Sequence, residues 1–382
     1  MHTINANKLR WALRSPPFMD PGQGLYHTLA GVELPKTISV GTQRFGLQFQ
    51  EIEGGRGGGM RCLSIDTGEM VVTILPDRGM GIWKCWRGDL EFGWQSPVVG
   101  PVHPSLVPVN DASGIGWLEG FDELLVRCGL HSNGAPEFAE NGTVRFPLHG
   151  RIANLPAHQL TIEVDIDEGT LDVIGLTSET RFLVYSLELE TRYRFRVGSP
   201  VVEMSDTIFN RSSRETTAQL LYHINIGTPI LGPGSKVHAA YSDLQPRDAR
   251  AAESTASWSE CDGPTAGYTE QVYFLSPRGD GHHWTESMLA SQDGANGFAV
   301  QFDESTLPCL SIWKNTVAVE DGYVLGIEPG TNFPNTKSIE EIAGRVVRLA
   351  GGESRAFRLR LLPLATSAEV SQSENRIRQL QK

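Results

Sequence analysis

A single carboxylate, Glu328, stands where an apolar stretch meets a turn rich in glycine, proline and asparagine. The stretch YVLGI before it is typical of a strand, and GTNFPN after it is typical of a rigid turn. A solvated surface glutamate needs no such setting. A general base does, because it has to be held at a fixed angle and partly shielded from water. The position therefore makes Glu328 a candidate catalytic base.

Two of the ten histidines stand in contexts that suit proton transfer or hydrogen bonding. His149 lies between Leu148 and Gly150, and His223 ends an apolar run two residues before Asn225. On a strand His223 and Asn225 point to the same face, so an imidazole and an amide would lie side by side. On spacing alone, the more common role of such a histidine is a packed core residue with one hydrogen bond. A metal site is not expected, because the sequence has no HxH, HExxH or Cys/His cluster.

Two further stretches place charged or aromatic side chains at predicted turns and strands. Arg78 lies in PDRGMG, where two glycines would let a ligand approach the backbone. Trp313 and Lys314 are neighbours in LSIWKN, so on a strand they face opposite sides. A Trp ring suits the apolar face of a pyranose, and Lys or Arg suits hydroxyl and carboxylate groups. The alternatives are a solvated turn, a core tryptophan and a solvated lysine.

The elements that would position these residues are mainly strands. Residues 183–197 alternate apolar and polar or charged side chains, and LTIEVDID, LDVIGL and SPVVEMSDTIFN show similar patterns between turn signals. Helical patterns are confined to 117–130 and 368–382, and 243–293 indicates long loops with short strands. Many strands, few short helices and no βαβ alternation predict an all-β fold, a large antiparallel β-sandwich.

Composition excludes several classes of partner. With 33 Lys and Arg against 45 Asp and Glu, the net charge of −12 leaves no basic excess for nucleic acid or an anionic membrane. The sequence has no apolar run of about 18 residues that would span a membrane. Its first residues lack the apolar core of a signal peptide. Five cysteines without a close pair argue against a disulfide framework or a zinc ribbon. We therefore expect a cytoplasmic protein that contacts neither nucleic acid nor membrane.

Three motifs, in this order along the chain, resemble motifs of the aldose 1-epimerase (galactose mutarotase) superfamily. They are LHG at 148–150, YHINIG at 222–227 and IEPGTNFPN at 327–335. In that family a Leu-His-Gly motif carries a sugar-binding histidine, and a later strand carries the general acid. A glutamate near the C-terminus, before a Pro- and Asn-containing turn, is the general base. Tyr222 and Arg151 depart from the family pattern, which has asparagine and glycine at these places.

The stretch DRGM at 77–80 and the pair Trp313–Lys314 are similar to a less characterised, mutarotase-like branch of that superfamily. The resemblance covers about residues 35–365 and implies a β-supersandwich there. It leaves 1–34 as an N-terminal extension packed on the main domain and 366–382 as a helical tail.

The resemblance implies an isomerase that interconverts the anomers of a free, small-molecule sugar by acid–base ring opening, without a cofactor. Glu328 would be the base, His223 the acid and His149 a sugar-binding residue. For His223 to act as an acid at neutral pH its pKa should be raised, which a nearby carboxylate such as Glu328 would do. The other candidates for substrate binding are Arg78, Asn225, Trp313, Lys314 and Arg127.

Three points stay open at this stage. Arg78, Arg127 and Lys314 would suit an acidic sugar, such as a uronate or a sulfosugar. The same fold would also serve a sugar-binding or regulatory protein without turnover. A polysaccharide lyase or a glycoside hydrolase is the third alternative, since fold alone does not decide chemistry. Titratable residues at both the acid and the base position favour the isomerase.

Overall fold

The computed structural model of the chain describes residues 2–5, 7–14, 18–19, 26–27 and 33–382, with side chains for 7–14 and 33–382. The strands of these residues, in chain order, are β1 His2–Asn5, β2 Lys8–Arg14, β3 Phe18–Met19, β4 Tyr26–His27, β5 Thr37–Val40, β6 Gln43–Glu51, β7 Arg61–Asp66, β8 Val71–Leu75, β9 Gly81–Arg87, β10 Leu90–Phe92, β11 Leu125–Leu130, β12 Glu137–Phe138, β13 Val144–Phe146, β14 Gln159–Asp165, β15 Thr170–Arg181, β16 Tyr185–Arg196, β17 Val202–Asn210, β18 Thr216–Ile226, β19 Lys236–Ala239, β20 Tyr241–Pro246, β21 Gln271–Pro277, β22 Trp284–Ala290, β23 Gly297–Asp303, β24 Cys309–Asn315, β25 Val324–Gly330, β26 Val347–Leu349 and β27 Ser354–Leu364. The α-helices are α1 Ala249–Ala252, α2 Lys337–Ile342 and α3 Ser367–Gln381. Short 3₁₀ helices lie at Pro104–Leu106, Gly116–Gly120, Ile152–Asn154, Thr255–Ser257 and Val319–Asp321.

Two large antiparallel sheets contain most of these strands. One has ten strands in the order β1-β2-β14-β15-β16-β17-β27-β23-β22-β19. The other has thirteen, in the order β20-β21-β24-β25-β18-β11-β9-β8-β7-β6-β5, with β10 paired to β9 and β26 to β18. The pairs β3–β4 and β12–β13 form separate two-stranded sheets. The predicted all-β fold, a large antiparallel sandwich with few short helices, is confirmed.

The main hydrophobic core takes apolar residues from both large sheets. β16 shows how the sequence builds it: Leu187, Leu189 and Tyr193 are buried in this core, and the Glu and Arg residues between them are more exposed. The same period of two runs through β18, where Tyr222 and Ile224 join the core. His223 and Asn225 therefore face the other side of the thirteen-stranded sheet, away from the core.

The predicted helix at 117–130 is wrong. A 3₁₀ helix at Gly116–Gly120 is followed by β11, whose six residues are all buried. β11 lies between β9 and β18 in the interior of the larger sheet. A strand that is covered on both faces has a continuous apolar run, which periodicity cannot distinguish from a buried helix.

Both ends of the chain meet the ten-stranded sheet. β2 pairs with β14, whereas most of the segment 1–34, predicted to be an N-terminal extension, lies outside the described residues. α3 lies where the sequence pattern predicted a helix, and it packs mainly on β22 and β19. Thr366 caps it, because its hydroxyl accepts from the backbone of Glu369 while the Glu369 carboxylate accepts from the backbone of Thr366. None of the helices in the described part of the chain has the length and apolarity needed to cross a membrane.

Candidate active site

A cavity of about 560 Å³ opens on the face of the thirteen-stranded sheet that is turned away from the main core. Its floor carries His223, Trp313 and Glu328, which lie on β18, β24 and β25. The loops that follow β10, β11 and β13 and the segment between β20 and β21 form its walls. Trp117 and Phe121 belong to a second, smaller apolar cluster on this side of the sheet.

His223 and Glu328 are in direct contact on this floor. The register of β18 and β25 pairs Ile224 with Ile327, which places His223 across from Glu328. His223 Nε2 lies 3.2 Å from Glu328 Oε1, and the two side chains are only 6% and 3% exposed. Gly326 leaves room for this contact: a Cβ there would lie 2.7 Å from Glu328 Oε1 and 3.3 Å from His223 Cε1.

The hydrogen bonds of Asn225 define which nitrogen of His223 carries a proton. Asn225 Nδ2 donates to the backbone oxygens of Glu123 at 2.9 Å and of His223 at 3.2 Å. Asn225 Oδ1 lies 2.6 Å from His223 Nδ1 and can only accept, so His223 Nδ1 holds a hydrogen. In the neutral ring, the lone pair is then on Nε2, the nitrogen that contacts Glu328.

Burial sets the protonation of this pair in the direction opposite to the sequence-based expectation. Burial lowers the pKa of His223 to about 4, against the effect of its hydrogen bond to Asn225. Burial also raises the pKa of Glu328 to about 8; the charge of Glu270 adds to the rise and that of Arg247 opposes it. The expectation of a raised pKa for His223 is wrong, because both charged forms are disfavoured away from water. At neutral pH the pair holds one proton on Glu328 beside a neutral imidazole.

The turn that follows Glu328 is held by side-chain hydrogen bonds. β25 continues two residues beyond Glu328 and ends at Gly330. Thr331 Oγ1 then accepts from the backbone N–H of Leu220 at 3.0 Å. The side chains of Asn332 and Asn133 exchange two hydrogen bonds, of 2.7 and 3.1 Å. These bonds connect the end of β25 to β18 and to the loop after β11, so the strand that carries Glu328 is fixed at its end.

His149 lies on a tight turn at the edge of the cavity. Its φ is 55°, and a Cβ at the next residue, Gly150 with φ 71°, would lie 2.1 Å from the backbone oxygen of Ser132. Only glycine fits at that position. The His149 ring packs edge-on against Trp117 at 4.7 Å and lies 5.4 Å from the ring of His223. Burial, with a smaller contribution from His223, keeps the pKa of His149 well below its ordinary value, so His149 is a neutral hydrogen-bonding group.

A second polar group lies on the cavity wall beside Trp313. Trp313 Nε1 donates to Glu270 Oε2 at 2.6 Å, and Glu270 Oε1 pairs with Arg247 Nη1 at 2.9 Å. Arg247 Nη2 also lies 2.9 Å from Asp248. The Trp313 ring is 5.3 Å from the ring of His223. Trp313 is thus held between the ion pair and the imidazole.

Arg247 and Glu270 were not identified from the sequence. They belong to 243–293, which the sequence analysis interpreted as long loops with short strands. The structure has β20, α1, β21 and β22 there. Arg247 directly follows β20 and Glu270 directly precedes β21, so the antiparallel pairing of these strands brings the two residues together. No motif marks them.

The structure brings four of the predicted site residues to the cavity: Glu328, His223, His149 and Trp313. A fifth predicted residue, Asn225, lies behind His223 and holds its ring by a hydrogen bond.

Arg127, predicted to bind substrate, does not reach the cavity. Val126 and Cys128 belong to the apolar cluster on the cavity side, so the period of two turns Arg127 toward the core between the sheets. There its guanidinium contacts Asp206 at 2.5 and 3.1 Å and the hydroxyl of Tyr193 at 2.9 Å.

Lys314 and Arg78 do not reach the cavity either. Lys314 lies on the side of β24 opposite Trp313, and its Nζ donates to the backbone oxygen of Glu260 at 2.5 Å. Arg78 is 1% exposed and pairs with Glu123 at 2.7 Å. The predictions of substrate binding by these residues and by Arg127 are therefore corrected to structural roles, and the acidic-sugar hypothesis loses the cations on which it rested.

Three of the solved structures with this architecture are provisionally named aldose 1-epimerases or are described as galactose mutarotase-like. A Klebsiella pneumoniae subsp. pneumoniae protein, provisionally named an aldose 1-epimerase, has 32% identity and a TM-score of 0.90 over 98% of this chain and 96% of that chain. A galactose mutarotase-like protein from Clostridium acetobutylicum has 15% identity and a TM-score of 0.56, over 82% of this chain and 98% of that chain. An Escherichia coli K12 protein with the same provisional name as the first has 12% identity and a TM-score of 0.51, over 80% and 99%.

The fold is therefore that of a galactose mutarotase-like protein. The chain belongs to the family described as Domain of unknown function (DUF4432), whose model matches residues 57–362. No curated protein matches the sequence.

Proposed function

We propose that the protein is a sugar mutarotase, which interconverts the α and β anomers of a free sugar through the open-chain form. The observation that carries the proposal is the 3.2 Å contact between His223 Nε2 and Glu328 Oε1 on the buried floor of a cavity. The ring oxygen and the anomeric hydroxyl are bonded to the same carbon. Two proton-transfer atoms in direct contact therefore match the spacing of the two oxygens that have to exchange protons. The provisional name of the 32% identical Klebsiella protein supports the same class.

Ring opening in this proposal begins with the proton on Glu328, so Glu328 acts first as the acid and His223 as the base, the reverse of the roles that the resemblance implied. The carboxyl gives its proton to the ring oxygen as the bond between that oxygen and the anomeric carbon breaks. The neutral Nε2 of His223 takes the proton of the anomeric hydroxyl as the carbonyl forms. Glu328 is then a carboxylate and His223 an imidazolium, an ion pair at hydrogen-bond distance.

Ring closure reverses these transfers on the other face of the carbonyl. The chain rotates about the bond next to the carbonyl carbon, and the sugar hydroxyl attacks that carbon. His223 returns its proton to the carbonyl oxygen, and Glu328 recovers a proton from the attacking hydroxyl. The pair ends as it began, with the proton on Glu328 and a neutral His223 ring. The reaction therefore needs neither a redox partner nor a net source of protons.

The neighbours of the pair would orient the sugar. His149 is neutral and lies 5.4 Å, ring to ring, from His223, so it is suited to a hydrogen bond with a sugar hydroxyl. Trp313 is only partly buried and lines the cavity, and an indole face packs well on the C–H face of a pyranose. Asn225 keeps the Nε2 lone pair of His223 directed at the substrate by holding Nδ1.

The test is exchange NMR on free aldoses and ketoses with wild type, Glu328→Gln and His223→Asn. We expect faster anomer exchange for at least one sugar, and a loss of about 10²–10⁴ in rate in either variant. Ser311→Ala is the matched control, because Ser311 lies directly across from Glu328 on β24 but carries none of the proposed proton transfers.

The other possible results of this test distinguish the proposal from its alternatives. Acceleration that survives in Glu328→Gln and His223→Asn would show that this pair is not the catalyst. Sugar binding without faster exchange would favour the non-catalytic sugar-binding alternative. Absence of any effect on free sugars, with cleavage of a polysaccharide, would favour the lyase or hydrolase alternative.

A further inference from the structure

We infer that the sugar taken by this cavity is a neutral reducing disaccharide, with its reducing ring on the His223–Glu328 floor and its second ring toward the mouth. The inference rests on the proposed function for the placement of the reducing ring.

The cavity is larger than one sugar ring. A hexose has about 12 non-hydrogen atoms and fills at most about 360 Å³, even if each atom is granted the ~30 Å³ of a liquid water molecule. The cavity volume is about 560 Å³. The remainder is enough for a substantial part of a second ring, the rest of which would extend through the open mouth.

The environment changes from the floor to the mouth in a way that suits two rings. The floor is buried, with Glu328 3% exposed, whereas Leu118 at the mouth is 43% exposed although it lines the cavity. Pro136 and Pro334, which are only partly buried, also line the cavity. Exposed apolar groups around a cavity mouth typically mark contact with a ligand or partner. A monosaccharide on the floor would leave this apolar rim uncovered.

The outer part also offers hydrogen-bond acceptors, which distinguishes a second sugar from a hydrocarbon substituent. Asn315, which is partly buried, and Asp321, which is exposed, line the cavity, and Asn315 Nδ2 donates to the backbone oxygen of Gly322 at 3.2 Å. Asn315 Oδ1 and the Asp321 carboxylate can therefore accept from ligand hydroxyls. Burying such acceptors against an alkyl chain would carry a desolvation penalty.

The charges that line the cavity argue against an anionic sugar. Among the described residues lining it, Arg247 is the one Lys or Arg, and it is already paired with Glu270 and Asp248. Both Glu270 and Asp321 bring negative charge to the cavity. A carboxylate, sulfonate or phosphate on the ligand would meet these carboxylates without an unpaired cation to offset them.

The experiment measures binding and turnover separately. Dissociation constants are measured by calorimetry for cellobiose, maltose and lactose, for glucose, which is the reducing-end sugar of all three, and for glucuronate. We expect at least one disaccharide to bind at least tenfold more tightly than glucose, and glucuronate to bind more weakly than glucose. Equal or weaker binding of all three disaccharides, or preferential binding of glucuronate, would overturn the inference.

Two charge insertions near the mouth give a matched comparison. Leu118→Asp removes the apolar side chain on which the second ring would pack, and it is therefore expected to lower the affinity ratio of disaccharide over glucose at least tenfold. Ile115→Asp inserts the same charge three residues away at a side chain that is 44% exposed and does not line the cavity, and should leave the ratio unchanged. An equal effect of both variants on the ratio would count against the placement of the second ring.

Exchange NMR on the same sugars separates this inference from the proposed function. Tight disaccharide binding without faster anomer exchange would refute the mutarotase and leave the cavity assignment standing. Faster exchange of glucose with no preference for a disaccharide would support the mutarotase and refute the disaccharide site.

Discussion

The replacement Glu328→Gln tests the protonation of the buried pair without any knowledge of the substrate. Glutamine keeps the size of the side chain and an oxygen and N–H that can face His223, but it does not titrate. The folded protein binds the proton of Glu328 more tightly than the unfolded chain does, because burial raises its pKa from 4.5 to about 8. The contribution of this proton to stability is therefore fully present below pH 4.5 and is lost as the pH rises through 8.

The size of the effect follows from the two pKa values. The interval from 4.5 to about 8, at about 1.4 kcal/mol per pH unit, corresponds to roughly 5 kcal/mol as an upper limit. His223 acts in the opposite direction, since its lowered pKa of about 4 weakens the folded state as the pH falls from 6.5 toward 4. In wild type the two slopes offset each other between about pH 4.5 and 6.5. Above pH 6.5 only the slope of Glu328 remains, so the stability of wild type should fall as the pH rises toward 8.

The assay is urea unfolding at half-unit pH steps from 5 to 9, for wild type and Glu328→Gln. The difference in free energy of unfolding, wild type minus variant, should fall by several kcal/mol between pH 5 and 8 and then level off. Ser311→Ala is the control: it changes a buried neighbour of Glu328 without removing a titrating group, so its curve should run parallel to wild type. A difference between wild type and Glu328→Gln that does not change with pH would refute the buried, protonated carboxyl.

Three further predictions concern the pair and the core. Gly326→Ala should lower the anomer exchange rate by about two orders of magnitude, because the new Cβ would lie 2.7 Å from Glu328 Oε1 and would push the two side chains apart. The same overpacking should cost about 1–3 kcal/mol of stability; NMR exchange and urea unfolding measure the two effects. The exchange rate should stay near its maximum from about pH 4 to 8. It should fall below pH 4, where the His223 ring becomes charged, and above pH 8, where Glu328 loses its proton. A rate that already declines as the pH falls through 6.5 would contradict this protonation. Arg127→Met leaves Asp206 buried without its cation and should cost about 3–5 kcal/mol in urea unfolding, whereas a cost below about 1 kcal/mol would contradict the buried ion pair.

The sequence contained enough to predict the class of fold and to single out His223 and Glu328, which the structure brings into contact. Period-two patterns such as that of β16 are local, because one face of the strand meets the core and the other meets water. Glu328 and His149 could be predicted because short motifs with unusual backbone needs surround them, such as the tight turn at Gly150. His223 and Asn225 could be predicted to share a face because the side-chain period of a strand is two.

Other features depend on contacts between distant segments and could not be predicted. Arg127 looked like a ligand-binding cation, but its direction depends on which face of β11 meets the second sheet, and a fully buried strand gives no alternation to indicate this. Arg247 and Glu270 meet only because β20 pairs with β21. The lowered pKa of His223 followed from its burial, which outweighs its hydrogen bond to Asn225, and a sequence does not show how deeply a side chain is buried.

The same burial that disfavours both charged forms is what would suit the pair to the proposed mutarotation. If the floor were wet, His223 and Glu328 would titrate near their ordinary values and would form an ion pair around neutral pH, which is the state that the proposed mechanism reaches only after ring opening. Burial moves the resting state to a carboxylic acid beside a neutral imidazole, one bonded proton and one lone pair side by side. Transfer of one proton to the ring oxygen and of another from the anomeric hydroxyl then creates the charges only while the sugar is open. Since these charges lie at hydrogen-bond distance from each other, each is stabilised by the other, and closure on either face of the carbonyl restores the neutral pair.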